Sequence, residues 1–475
     1  MTIPDDIHQT HAAAVPARHA PPPPHHRRAL LVRLHFYAGI LIGPFLAVAA
    51  VTGALYAAAP TIERVVYRDL LSVPPAPAAL PLQEQVAAAR AAFPQLTMTG
   101  LRPPAEPADS TRVYFADPAL GDDLLRAVFV DPYTGRVLGD EQTWLGYLPV
   151  STWLDGLHRH LNLGEPGRLY SELAASWLWV VALGGLWLWL VRSARDRRDG
   201  RMHRVVMPDR TARGRSRTLS WHGATGVWLL AGLLFLSATG ITWSTYAGAH
   251  VSDLRAAMNW QRPQLDTVIA GDGGHAGHGG PVTQPGVDAA SVDYSGVLAA
   301  AADAGVRSPV ELTLPAAHGE AVTVTEIDRP YRWTTNAAAV DPGDLGVTSV
   351  VDYRRDYSTM AKLADWGIRA HMGFLFGWLN QALLLAVAVG LLTVIVRGYR
   401  MWWQRRPTRG SDWAVGRAPL RGGFGRLSVP ARAGIVAAAV AVGWFLPLLG
   451  VSLVAFLVVD LTLAAAKRRK ENNDA

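Results

Sequence analysis

LHFYAGILIGPFLAVAAVTGALY at residues 34–56 and WHGATGVWLLAGLLFLSATGITW at residues 221–243 decide the fold. Each is an apolar run of the ~20 residues that an α-helix needs to cross a bilayer. Each also carries the same punctuation. His35 is followed four residues later by Gly39 and seventeen later by Thr52, with Gly53 behind it; His222 is followed at the same intervals by Gly226 and Thr239, with Gly240 behind it. A shared interval pattern of this length marks an internal duplication.

The flanking sequence extends the pattern. His158 precedes Gly164 by six residues, near an apolar run at Tyr170–Val191, and His371 precedes Gly377 by six, near a run at Met372–Val396. With Leu34–Ala59 and Leu219–Ala247 these give four spans in two pairs. A further stretch, Ala433–Ala466, is too long for one ordinary span and is interrupted by Pro447 and Gly450. It reads as a hairpin of two shorter helices, which makes six crossings. The basic HHRR ahead of the first span and the Ala57-x-Ala59 pair imitate a signal peptide. The apolar run exceeds the ~7–15 residues of such segments, so the span is expected to stay uncleaved.

Composition agrees with a membrane chain that also carries soluble parts. Of 475 residues, 50% are hydrophobic and 17% charged. The absence of cysteine excludes disulfides, thiolate metal sites and a cysteine nucleophile. The seventeen tryptophans gather at the ends of apolar runs, as interfacial belts do. A net charge of +7 does not point to nucleic acid, because the arginines flank spans. Residues 192–217 hold ten arginines against three aspartates. Arg27, Arg28 and Arg33 precede the first span, Arg397, Arg400, Arg405 and Arg406 follow the fourth, and Lys467-Arg468-Arg469-Lys470 follows the last. Positive loops stay cytoplasmic. The expected arrangement is therefore a multi-pass protein of the cell membrane with both termini cytoplasmic and two long segments, 60–169 and 248–371, outside.

Those segments read as small α+β domains. The first has a helix over Leu82–Phe93 and strands at Thr97–Leu101, Arg112–Ala116 and Ala127–Val130, closed by the turn sequence DPYTGR. The second repeats the order, with a helix over Tyr294–Ala304 and strands near Val310–Leu314, Ala321–Glu326 and Thr335–Val340. Residues 1–32 read as a disordered Pro- and Ala-rich tail, 192–218 and 397–432 as basic cytoplasmic loops, and 467–475 as a cytoplasmic tail. GDGGHAGHGG at 271–280 reads as a linker, since His275 and His278 alone are too few ligands for a metal site. The fold class is thus an α-helical integral membrane bundle, two repeated helix pairs plus a C-terminal hairpin, bearing two small α+β domains.

Both repeats run from inside to outside and back, so an axis along the membrane normal should relate them. That symmetry sets His35 level with His222 on the cytoplasmic side and His158 level with His371 on the outer side. The seventeen residues from His35 to Thr52 rise about 25 Å, most of the hydrocarbon core. Two imidazoles at one depth suit the axial positions of haem iron, and two such pairs suit two haems stacked across the bilayer. A single histidine at an interface is more often merely hydrogen-bonded; four at matched positions favour ligation. The glycines would admit a flat macrocycle, or alternatively serve helix packing, as Gly39 and Gly43 would in G-x-x-x-G. In the HRH sequence either His158 or His160 can be the ligand, with the repeat selecting His158. Asp460 is expected to be solvated near the inner surface.

LHFYAGILIGPFLAVAAVTGALY, LHRHLNLGEPGRL, WHGATGVWLLAGLLFLSATGITW, WGIRAHMGFLFGWLNQ and GYRMWWQRRP together resemble the PepSY-associated transmembrane family, the iron-regulated membrane proteins, over about residues 27–407. VDPYTGRVLGD is similar to the end of a PepSY domain; its counterpart, DPGDLGVTSVVDY, lacks the TGxVL pattern. The resemblance implies PepSY-like outer domains and b-type haem, about two per chain, on His35, His158, His222 and His371. It also implies reduction of a ferric siderophore-type chelate at the outer face in iron acquisition. No G-x-G-x-x-G follows a strand, so a separate cytoplasmic donor, flavoprotein or quinol, is implied. Two other readings stand beside this one: a PepSY-type regulatory protein acting on extracytoplasmic peptidases, and a permease for iron complexes.

Overall fold

The computed structural model describes residues 26–198, 205–269, 286–405, 419, 424–425 and 427–473. His25, His275, His278 and most of the basic loop after the fourth span lie outside them. Among the described residues four helices are long and apolar enough to cross a membrane, or five if one bent pair counts as a single span. They suggest a bilayer environment.

The bent pair is the first span, α1 (His26–Leu41) and α2 (Gly43–Ala57), which turn by 55° at Ile42. Pro44 causes the bend, since its ring cannot donate and crowds the carbonyl four residues back. That carbonyl, on Ile40, accepts instead from the Tyr399 hydroxyl at 2.6 Å. A Cβ on Gly43 would lie 3.1 Å from the Tyr399 hydroxyl oxygen, so this glycine makes room for Tyr399.

Short helices α3 (Ala59–Val66) and α4 (Arg68–Leu71) lead to α5 (Leu82–Ala92) and the strands β1 (Thr97–Arg102), β2 (Thr111–Ala116), β3 (Leu125–Val130) and β4 (Val137–Thr143). The chain returns through α6 (Pro149–His160) and α7 (Glu165–Arg198), crosses again in α8 (Gly214–Ile241), and continues in α9 (Tyr246–Ala257). A second set follows: α10 (Tyr294–Asp303), β5 (Val310–Thr313), β6 (Val322–Glu326), β7 (Ala337–Val340), β8 (Val347–Val351), α11 (Tyr353–Asp356), α12 (Thr359–His371) and α13 (Trp378–Trp403). The chain ends in α14 (Val429–Phe445) and α15 (Pro447–Asn473).

All four spans differ in extent from the sequence reading, and the first begins at His26, within the residues read as an N-terminal tail. The second helix is longer at both ends than Tyr170–Val191. The third stops at Ile241 rather than Ala247, because Thr242 and Ser244 turn their hydroxyls onto the carbonyls of Thr239 and Ile241 at 2.6 and 2.8 Å, and so compete with the helix ladder. The fourth begins at Trp378 rather than Met372. His371 ends α12, and Gly373 and Gly377 take φ of +88° and +55°, where a side chain would be strained. The Ala433–Ala466 stretch is two helices broken at Leu446, with Gly443 and Gly450 in close contact. α14, at 17 residues, is shorter than the four spanning helices.

The strands form one antiparallel sheet rather than two separate domains, in the order β4-β3-β2-β1-β5-β6-β7-β8. The joint pairs Gly100 with Thr313 and Leu101 with Leu312. A Cβ at position 100 would lie 2.4 Å from the Leu312 carbonyl, so only glycine permits the approach. Arg102 bridges to Glu311 at 2.7 Å beside it. α5 and α10 share a core over this sheet, built from Val86, Leu101, Phe115, Val297 and Leu312 among others. The outer strands β4 and β8 were not foreseen. In the β3–β4 turn Gly135 takes φ +70°, and in the β7–β8 turn Leu345 takes φ +60° with the same backbone bonding, so the sequence departure in DPGDLG leaves the turn intact.

Below the sheet the helices close into a ring: α7 packs on α8, α8 on α13, α13 on α2, and α1 on α7. The hairpin α14–α15 lies against α7 and α9. Asp460 is not simply solvated, since it forms an ion pair with Arg33.

Candidate functional site

α1 and α8 carry His35 and His222 toward the same cavity at the basic end of the ring. α6 and α12 carry His158 and His371 into a second cavity at the sheet end, together with Gly53 and Gly240. The ring centroids are 6.3 Å apart in both pairs. A first-row metal–imidazole bond is about 2.0–2.1 Å and the ring nitrogen lies roughly 1.1 Å from its centroid, so two imidazoles on one iron are about 6 Å apart. Both separations fit that arrangement.

The second nitrogen of each ring is already engaged. His35 Nδ1 lies 3.1 Å from the Val181 carbonyl, and His222 Nδ1 lies 3.0 Å from that of Val394. A carbonyl only accepts, so each Nδ1 carries the proton. At the sheet end His158 Nδ1 is 3.0 Å from Thr52 Oγ1 and His371 Nδ1 is 2.6 Å from Thr239 Oγ1. Those hydroxyls donate to the carbonyls of Val48 and Phe235 at 2.9 and 2.7 Å, which leaves them as acceptors for the imidazole. All four rings are therefore held in the tautomer whose free lone pair is on Nε2, as metal-binding histidines usually are.

The partners keep register. Offsets of 187 residues relate His35 to His222 and Thr52 to Thr239, and offsets of 213 relate His158 to His371 and Val181 to Val394. The glycines divide by role. Gly39 and Gly226 face open space within the basic-end cavity, as a flat group would require. A Cβ on Gly53 would stand 2.9 Å from His158 Cε1, and one on Gly185 would stand 2.9 Å from His35 Cε1, so these positions let the rings lie against neighbouring helices. Gly164 and Gly377 serve turns, with φ of +66° and +55°.

His160 does not line the sheet-end cavity; its Nδ1 is buried without a partner among the described residues. No cluster of three or more histidine, aspartate or glutamate side chains among the described residues can hold a bare metal ion. Leu46, Leu178 and Leu391 line both cavities and are the layer between them.

Sequence reasoning missed Glu172. It is 1% exposed, lines the sheet-end cavity, and accepts the backbone N–H groups of Tyr246 and Ala247 at 2.9 and 3.0 Å at the start of α9. An acid inside an apolar run was the available signal. Arg159 and Arg168 line the same cavity.

A family model described as the PepSY-associated TM region matches residues 32–405. No curated protein matches the chain.

Proposed function

The chain belongs to the PepSY-associated TM region family, and on that premise we propose that it is a di-haem b protein carrying electrons across the cell membrane. The donor is a flavoprotein or quinol at the cytoplasmic, basic end. The acceptor is a ferric chelate of siderophore type at the outer, sheet end. The observation that carries the reading is the twofold occurrence of one arrangement: paired imidazoles at 6.3 Å, each with Nδ1 committed to an acceptor.

Bound haem would supply a one-electron carrier at each site. The chain's residues do the rest. His35 with His222, and His158 with His371, would hold the two haems, and ligation by two imidazoles would suit each to electron transfer rather than to binding a further ligand. The carbonyls of Val181 and Val394 and the hydroxyls of Thr52 and Thr239 orient the rings and raise their basicity. The layer of Leu46, Leu178 and Leu391 stands between the two sites. A permease would need a continuous polar path, whereas the layer shared by the two cavities is Leu46, Leu178 and Leu391.

The test is an absorption spectrum. Protein purified in detergent from haem-replete cells should give the sharp visible bands of low-spin haem on dithionite reduction, at about two haems per chain. A folded, colourless protein would overturn the proposal.

A further inference from the structure

The basic-end cavity carries charge that ligation by histidine leaves unexplained. Arg28, Arg192, Arg215 and Arg405 line it and no aspartate or glutamate does among the described residues; Arg192 alone meets an acid, Asp196, at 3.7 Å outside the lining. At the sheet end the two lining arginines share the cavity with Asp155 and Glu172, and Arg159 meets Asp155 at 3.1 Å. Four guanidinium groups around one cavity repel one another unless an anion sits among them. A cytoplasmic excess of arginine accounts for their sign but not for their register.

That register is regular. Arg28 stands seven residues before His35, and Arg215 seven before His222. Arg192 stands seven after Gly185, and Arg405 seven after Gly398. Those glycines are where the rings of His35 and His222 approach α7 and α13, with Cβ positions 2.9 and 3.8 Å from the respective Cε1 atoms. Seven residues are close to two helical turns, so Arg28, Arg192 and Arg215 each share a helix face with their marker about 10 Å nearer the basic end, while Arg405 follows the end of α13 at Trp403. The four make a tier beyond the histidine tier. The carboxylate arms of a haem held between His35 and His222 reach that far from its iron.

Resting on the di-haem reading, we propose that Arg28, Arg192, Arg215 and Arg405 form a carboxylate clamp for the two propionates of the basic-end haem. Arginine suits this task because its planar fork meets a carboxylate with two parallel hydrogen bonds. The clamp fixes the rotation of the macrocycle about the His35–His222 axis. It also holds positive charge at the macrocycle edge, which favours the reduced iron. The sheet-end cavity, with its arginines offset by acids, lacks such a tier.

The experiment uses the full chain with His158→Ala, which leaves the basic-end site alone, with and without Arg28→Gln and Arg215→Gln. Haem transfer to apomyoglobin and the midpoint potential are measured. The bis-imidazole spectrum should persist, transfer should speed up roughly tenfold or more from loss of charge-assisted bonds, and the potential should fall. Arg28→Lys with Arg215→Lys should restore the potential better than the transfer rate, since lysine keeps charge but not the fork. In a His35→Ala chain, which keeps only the sheet-end site, the same glutamine pair should change neither. Unchanged rate and potential in the His158→Ala chain, or equal changes in both chains, would overturn the clamp. Loss of co-purified anionic lipid with both haem readouts unmoved would overturn it in favour of a headgroup site. A wild-type chain without haem sinks the di-haem reading and the clamp with it, whereas a loaded chain with unmoved readouts sinks the clamp alone.

Discussion

The proton of each threonine hydroxyl beside the sheet-end histidines is committed to its own helix, Thr52 to Val48 and Thr239 to Phe235. Only oxygen lone pairs face His158 and His371, so the histidines must donate from Nδ1. Thr52→Val or Thr239→Val removes that acceptor while keeping shape. Each should weaken haem retention at the sheet end by roughly 10–100-fold, as loss of an outer-shell partner does, and leave the basic end untouched. Thr→Ser should retain most of the affinity. Haem release from single-site variants measures this, and equal retention in valine and threonine chains would contradict it. The four histidines were legible because their intervals repeat. Val181 and Val394 were not, because a backbone carbonyl leaves no mark on residue identity. Glu172 was passed over as part of a span, although its buried carboxylate starts α9.

Among the elements, the first span is where pattern and structure part most. Hydropathy marked its apolar run but not its start at His26, and the 55° bend is written only in Gly43-Pro44, with its repair coming from α13. Tyr399→Phe strands the Ile40 carbonyl at the bend, which should lower stability in detergent by about 1–2 kcal/mol. Thermal unfolding followed by intrinsic tryptophan fluorescence checks this, and an unchanged midpoint would show that the carbonyl finds another donor. Strands β4 and β8 escaped the sequence reading because VLGDEQT and VTSVV carry little apolar alternation, being largely half-exposed edges. The β1–β5 joint escaped it too. Edge pairing between two halves has no local signature beyond a glycine, Gly100, whose reason lies on the other strand.

For the whole molecule, a single sheet caps one end of a closed helix ring whose two cavities are divided by a leucine layer. The hairpin beyond the family region is fastened to the ring by polar contacts: Arg33 with Asp460, Trp177 Nε1 donating to Ser452 at 2.9 Å, and His250 against the Phe445 carbonyl at 3.0 Å. The proposed orientation puts the basic end in the cytoplasm, where an excess of arginine is expected. Reporter fusions at Gly200 and Gly274 should therefore give opposite signals, and equal signals would overturn the orientation. The central claim, however, is the pairing of histidines across helices, and the haem-to-chain ratio of replaced proteins tests it most directly. His35→Ala, His222→Ala and the double replacement should each keep the same single haem, because one bis-imidazole site fails when either ligand is lost. His35→Ala combined with His371→Ala should keep almost none. Additive loss for positions 35 and 222, or full retention when His158 is replaced, would contradict the account.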